Sequence, residues 1–202
     1  MNDSPPFDST AVELKSADSL PLGSVTLPYE RPLFLVGMMG AGKTTIGRSL
    51  ARLLNHEFID LDHELEARCG VRVSTIFEIE GEEGFRRRES VLLEECSRRS
   101  GIVMATGGGA ILSAENRRFL QERGVVIYLR ASAEELYRRV ARDHNRPLLQ
   151  TPDPRQRIRS LLEQREPLYE QVADVTVETG AMPVFQVVRS LLPLLLNYEV
   201  RS

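Results

Sequence analysis

The chain has little of several things that would announce a function directly. Its 202 residues include two cysteines, Cys69 and Cys96, and three histidines, His56, His63 and His144. The cysteines fit no metal or redox spacing and read as free thiols of a reducing compartment, the cytoplasm. The scattered histidines argue against a metal cluster. No apolar run approaches the length of a membrane span. A net charge of −3 and a pI near 5.7 lack the basic excess of a nucleic-acid-binding domain. Neither nucleic acid nor membrane is therefore expected as a partner. There is no internal repeat and no heptad array. What is present, 42% hydrophobic residues over this length, suits one domain with a real core.

Residues 1–30 differ from the rest. They carry Pro5, Pro6, Pro21 and Pro28, and five acids (Asp3, Asp8, Glu13, Asp18, Glu30) against Lys15, a net of −4. A secretory signal needs a basic start and an apolar block, and a transit peptide is usually poor in acids. Neither description fits. The segment reads as a disordered extension, with a short helix over Ala11–Ala17 as the alternative.

From Arg31 to the end at Ser202, short apolar runs alternate with amphipathic stretches. Strands are expected at Leu33–Val36, Glu57–Asp60, Ile102–Ala105, Val125–Leu129 and Val175–Val177. Helices are expected over Thr44–Leu54, Asp62–Arg68, Ser74–Ile79, Glu83–Arg99, Ala114–Arg123, Ala133–Arg142, Arg155–Ala173 and Val184–Leu196. This alternation implies an α/β domain with a mostly parallel sheet covered on both faces. Ligands then belong at the carboxyl ends of the strands.

The strongest motif follows the first strand. Gly37-Met-Met-Gly-Ala-Gly-Lys-Thr44 reads G-x-x-x-x-G-K-T between a strand and a helix, the context of a phosphate-binding loop. Gly37, Gly40 and Gly42 let backbone N–H groups turn inward, and the helix N-terminus adds partial positive charge. Lys43 is placed to reach β- and γ-phosphates, and Thr44 to offer its hydroxyl to Mg²⁺. An ordinary glycine turn is the alternative.

Further features follow along the chain. Asp60 and Asp62 share one side if the strand runs through them. One carboxylate can then orient Mg²⁺ through water and the other can take a proton from an acceptor hydroxyl. Asp62 as a simple helix cap is the competing reading. In the next helix Phe85, Leu92 and Cys96 share a buried face, with Arg86 one step off it, suited to gripping a carboxylate. Arg87 and Arg88 suit surface pairs with Glu83 or Glu89. Thr106-Gly-Gly-Gly109 exposes backbone N–H groups, or is only a loose connection. Arg138, Arg139, Arg142 and Arg146 follow the fourth strand, and the breaker-rich segment Asn145–Pro154 suits a closing lid or an ordinary loop. Arg165 is either a second anion clamp or a helix surface charge.

Together these motifs resemble shikimate kinases. The resemblance covers residues 31–175. It rests on Gly37–Arg48, Asp60-Leu-Asp62, Ile76-Phe77 with Gly81-Glu-Glu-Gly-Phe-Arg86, Gly107-Gly-Gly109, Arg146-Pro-Leu-Leu149 and Arg165-Glu-Pro-Leu-Tyr169. It implies a three-layer α/β/α fold like the nucleoside monophosphate kinases, with five parallel strands in the order 2-3-1-4-5. It also implies transfer of the ATP γ-phosphoryl group to the 3-hydroxyl of shikimate, on the way to chorismate and aromatic amino acids, by a monomer. By matching position, Gly40, Ala41, Gly42, Lys43, Thr44 and Thr45 would bind ATP, and Thr44 and Asp60 would serve Mg²⁺. Asp62 would bind the shikimate hydroxyls and act as base. Arg86 and Arg165 would grip its carboxylate, and Gly107, Gly108 and Gly109 would line the ring, with Gly108 in contact. Arg146 would reach the phosphates from a lid near 142–155, and Arg139 matches a cation that stacks on adenine.

Two departures stand out. The acidic extension is outside the family core, and Glu178–Pro183 lacks the basic residue often found near adenine. A gluconate kinase would share the phosphate loop but is not expected to combine Phe85-Arg86, the triple glycine and Arg165. A silent nucleotide-binding protein is disfavoured by intact Lys43, Thr44, Asp60 and Asp62.

Overall fold

The five apolar runs become one parallel sheet. Its strands are β1 (Leu33–Val36), β2 (Glu57–Asp60), β3 (Ile102–Ala105), β4 (Val125–Arg130) and β5 (Val175–Glu178), ordered β2-β3-β1-β4-β5. This is the expected architecture. β1 and β3 are buried at every residue, as central strands covered on both faces must be. β5, at the edge, alternates buried and exposed residues. The protein is described here by a computed structural model covering residues 25–141, 149 and 151–199.

Among the described residues seven α-helices connect and cover the sheet. They are α1 (Lys43–Leu54), α2 (Leu61–Cys69), α3 (Val73–Cys96), α4 (Ala114–Arg123), α5 (Ala133–Val140), α6 (Pro154–Val172) and α7 (Val184–Leu196). A 3-10 turn at Ala110–Leu112, too short for a periodic signal, was outside the sequence expectation. Among the described residues no helix is long and apolar enough to cross a membrane.

The two helices expected over Ser74–Ile79 and Glu83–Arg99 are both present, joined end to end across a kink within α3, and the second stops at Cys96 rather than Arg99. The kink is Gly81, whose φ of 68° and ψ of −177° leave the helical region, a conformation that suits only glycine. Arg88 spans the kink, donating from Nε and Nη2 to the two oxygens of Glu80 at 2.8 and 2.7 Å. It therefore pairs with neither Glu83 nor Glu89, whereas Arg87 does pair with Glu83.

The packed part of the domain also begins before Arg31. Leu27 is buried in the core, and Tyr29 donates to Leu195 O at 3.1 Å with its ring edge-on to Tyr198. Most of the expected disordered extension, residues 1–24, lies outside the described residues. So do 142–148 and 150, which hold Arg142, Arg146 and most of the expected lid.

Candidate active site

Sheet register brings three loops to one place. Leu35 of β1 and Asp60 of β2 both pair with Ala105 of β3. Thr106 then donates from its backbone N and its hydroxyl to Leu35 O, at 3.1 and 3.0 Å. The carboxyl ends of these neighbouring strands lie abreast, so the segments leaving them share one crevice.

The phosphate loop leaves β1. Gly37, Gly40 and Gly42 have φ of 140°, 81° and 97°, values that L side chains resist. The loop curls round its own cation, with Lys43 Nζ donating to Gly37 O at 2.8 Å and Met38 O at 3.0 Å. Gly42 is the N-cap of α1 and offers no side chain to the first turn. The leading amides of Lys43, Thr44 and Thr45 therefore head a helix that side chains leave uncapped, a ready anion site.

β2 stops at Asp60, and α2 begins at the next residue. The strand does not run on through Asp62, so the condition for Asp60 and Asp62 to share one strand side is not met. Asp60 is itself the cap, accepting from His63 N at 3.4 Å. Its other oxygen accepts from Thr44 Oγ1 at 2.6 Å. The capping explanation for Asp62 fails, because that job belongs to Asp60. Asp62 stands in the first turn of α2, facing β3's loop: a Cβ placed on Gly107 would lie 3.1 Å from its Oδ1.

Arg86 and Arg165 converge on the triple glycine from two helices. Arg86 lies against Gly109 so closely that a Cβ there would overlap its guanidinium. It donates to Glu89 Oε2 at 2.6 Å and Glu82 Oε1 at 3.2 Å, and its cation rests 5.1 Å from the Phe85 ring centroid. Arg165 is only 2% exposed, so it is no surface charge. It donates to Gly108 O at 3.2 Å, which also accepts from Tyr169 Oη. No carboxylate among the described residues forms an ion pair with it. Burial, with Arg86 close by, pulls its guanidinium below the ordinary value. Two cations brought together in a largely buried place are costly unless an anion joins them.

Arg139, on α5, lies at the other side of the phosphate loop. It donates to Gly40 O at 3.0 Å and to Thr179 O at 2.9 Å. A cation thus reaches the segment after β5, which carries no basic residue of its own.

A family model described as shikimate kinase matches residues 39–195. The chain belongs to the shikimate kinase family. It is 68% identical over 173 residues to the shikimate kinase of Bordetella pertussis, covering 86% of this chain and 82% of that one. Against the shikimate kinase of Bordetella avium the identity is 66% over 173 residues, covering 86% and 83%. A solved shikimate kinase from Acinetobacter baumannii, in complex with shikimate, has a TM-score of 0.82 at 49% identity, covering 85% of this chain and 96% of that one.

Within this shikimate kinase fold, Lys43, Thr44, Asp60, Asp62, Arg86, Gly107–Gly109 and Arg165 surround one crevice, while Arg139 borders it at Gly40. Arg146 lies outside the described residues. Sequence reasoning missed Glu89, which it treated as a surface partner. Glu89 is 1% exposed, bound to Arg86, and would touch a Cβ on Gly107. The available signal was its three-residue spacing from Arg86, which puts both on one side of α3.

Burial pushes the Glu89 carboxyl up to about 7 from its ordinary 4.5, against the pull of Arg86 and Arg165 and with the push of Asp62. Between these two values the folded state holds a proton that the unfolded chain has released. Folding stability attributable to Glu89 therefore falls as pH rises from about 4.5 to about 7, by up to roughly 3 kcal/mol. In Glu89→Gln that pH-dependent loss should shrink, as read by urea unfolding at a series of pH values. An unchanged pH dependence would remove Glu89 as its source.

Proposed function

We propose that this protein transfers the γ-phosphoryl group of ATP to the 3-hydroxyl of shikimate, producing shikimate 3-phosphate for chorismate and aromatic amino-acid synthesis. The observation that carries this reading is the meeting of Arg86 and Arg165 over Gly107–Gly109, beside a phosphate loop and Asp62. Two guanidiniums can fix a small carboxylate in both position and orientation, as one ammonium cannot. The shikimate bound to the Acinetobacter baumannii relative supports the choice of acid.

In this reading the amides of Gly40, Ala41, Gly42, Lys43, Thr44 and Thr45 surround the ATP phosphates, with the Lys43 ammonium beside them. Arg86 and Arg165 hold the shikimate carboxylate, and the glycines allow its ring to approach. Asp62 orients the 3-hydroxyl and accepts its proton as the O3–Pγ bond forms. The Pγ–O bond to the β-phosphate breaks, and ADP leaves with that electron pair. Positioning and charge stabilisation supply most of the rate. Arg146 is assigned to the phosphates, and Arg139 to the adenine side, by family resemblance alone.

Mg²⁺ fits the oxygen pair at Thr44 and Asp60. The Thr44 hydroxyl donates its hydrogen bond to Asp60, which leaves its lone pairs for a cation. Mg²⁺ keeps most of its waters, so it needs no larger cluster of carboxylates. When bound it would neutralise charge on the β- and γ-phosphate oxygens. The same reading takes the enzyme as a monomer, by family resemblance, and as cytoplasmic, in keeping with its free cysteines.

The test is ADP release from Mg-ATP with shikimate, gluconate or no acceptor, with Lys43→Ala as control. Turnover should require shikimate and vanish in the control. Turnover with gluconate instead would keep the phosphate chemistry and overturn the arginine clamp. No turnover with either, alongside tight ADP binding, would favour a silent nucleotide-binding protein.

A further inference from the structure

α5 stands between the phosphate loop and the connection from β5 to α7, and it touches both. A Cβ on Gly40 would meet Val140 Cγ1 at 2.8 Å and Leu136 O at 3.3 Å. A Cβ on Gly180 would come within 3.1 Å of Glu135 Oε1. Glycine at each position lets the backbone lie directly on the helix. Arg139 reaches both segments at once. Its Nη1 donates to Gly40 O at 3.0 Å and Thr179 Oγ1 at 3.2 Å. Its Nη2 donates to Thr179 O at 2.9 Å and to Gly180 O. The Thr179 hydroxyl in turn donates to Arg130 O at 3.1 Å, which leaves its oxygen to accept from Arg139.

These partners are unusual for an exposed arginine, whose forks usually take carboxylates or water. Here the fork is occupied by acceptors on segments 99 and 40 residues away in the chain. A planar guanidinium can bridge two such strands of backbone, whereas an ammonium is a single point. Gly40 also has φ of +81°, a value glycine enters and leaves freely, so the residue itself does little to fix the loop's shape.

We infer that Arg139 is a positioning residue: it fastens the phosphate loop to the β5–α7 connection and keeps that loop in its anion-binding shape before any nucleotide arrives. The inference rests on the reading of residues 37–44 as the nucleotide site. It is separate from any contact between Arg139 and the base, because the bonds that define it go to protein.

Inorganic tripolyphosphate, which has neither base nor ribose, tests this directly. Its affinity for the full-length protein would be measured by calorimetry in the parent, Arg139→Lys, Arg139→Ala and Thr179→Val. Both Arg139 variants should bind it about tenfold more weakly, since the lysine keeps the charge but not the bridge. Thr179→Val, which removes one acceptor and retains the cation, should lose about threefold. Amide exchange at 40–44 and 179–181 should quicken in the unliganded Arg139→Lys protein while its melting temperature changes little. Parent-like affinity in Arg139→Lys would overturn the inference and leave only a charge effect. Weaker ADP binding with unchanged tripolyphosphate binding would overturn it in favour of a base contact. A parent that binds no tripolyphosphate would overturn it together with the reading of the loop, which distinguishes the two failures.

Discussion

Asp62→Asn is expected to lower turnover by about 10²- to 10⁴-fold while leaving ADP affinity nearly unchanged. The amide matches the carboxylate in shape but cannot take a proton at neutral pH. The substitution should spare the fold for a specific reason: Asp60, not Asp62, caps α2. Asp62 is also exposed, so no core contact is lost. Its Oδ1 faces Gly107, while the Thr44 hydroxyl pairs with Asp60 instead. The measurement pairs steady-state ADP release with calorimetric ADP binding. Near-normal turnover would make Asp62 a spectator and move the proton to another acceptor. Equal loss of turnover and ADP affinity would point to disruption of the whole crevice.

Arg86→Lys is the second large effect. It should lower kcat/KM for shikimate by about 10²-fold while the KM for ATP stays within about twofold, because charged hydrogen bonds of this kind contribute about 1.5–3 kcal/mol each. The guanidinium is held flat beside Gly109 by Glu89 and Glu82, so its remaining donors have a fixed direction. A lysine at 86 restores the charge without the fork and leaves buried Glu89 to a single, movable donor. Equal losses toward shikimate and ATP in a folded variant would contradict the role given to Arg86. A parent-like kcat/KM would assign the carboxylate to Arg165 alone.

Several local features are legible in the order of residues alone. The three positive-φ glycines of the phosphate loop follow from spacing, because a G-x-x-x-x-G-K-T run between an apolar strand and a helix has one familiar use. The strands are legible within a residue or two, because short apolar runs bounded by turns leave few alternatives. The strand end at Asp60 is among them, but which of Asp60 and Asp62 caps the helix that follows is not. Phe58-Ile-Asp-Leu-Asp62 suits a continuing strand and a capped helix equally, and the choice depends on the helix docking behind it. The kink at Gly81 is legible as a gap between two helical patterns, but not as one run stapled across by Glu80 and Arg88.

By itself the sequence determined the phosphate loop, the parallel α/β alternation and the residue types of an anion site, all set by interactions within a few residues. Tertiary structure decided which charges face inward. Glu89 and Glu83 lie on the same helix and look alike in sequence. Glu89 is buried under Arg86, while Glu83 pairs with Arg87 in solvent. Periodicity places side chains on faces, but only the packing of α3 against the loop after β3 says which face is covered. The same holds for Arg139, whose acceptors at Gly40 and Gly180 become neighbours only when β1, β4 and β5 align in one sheet.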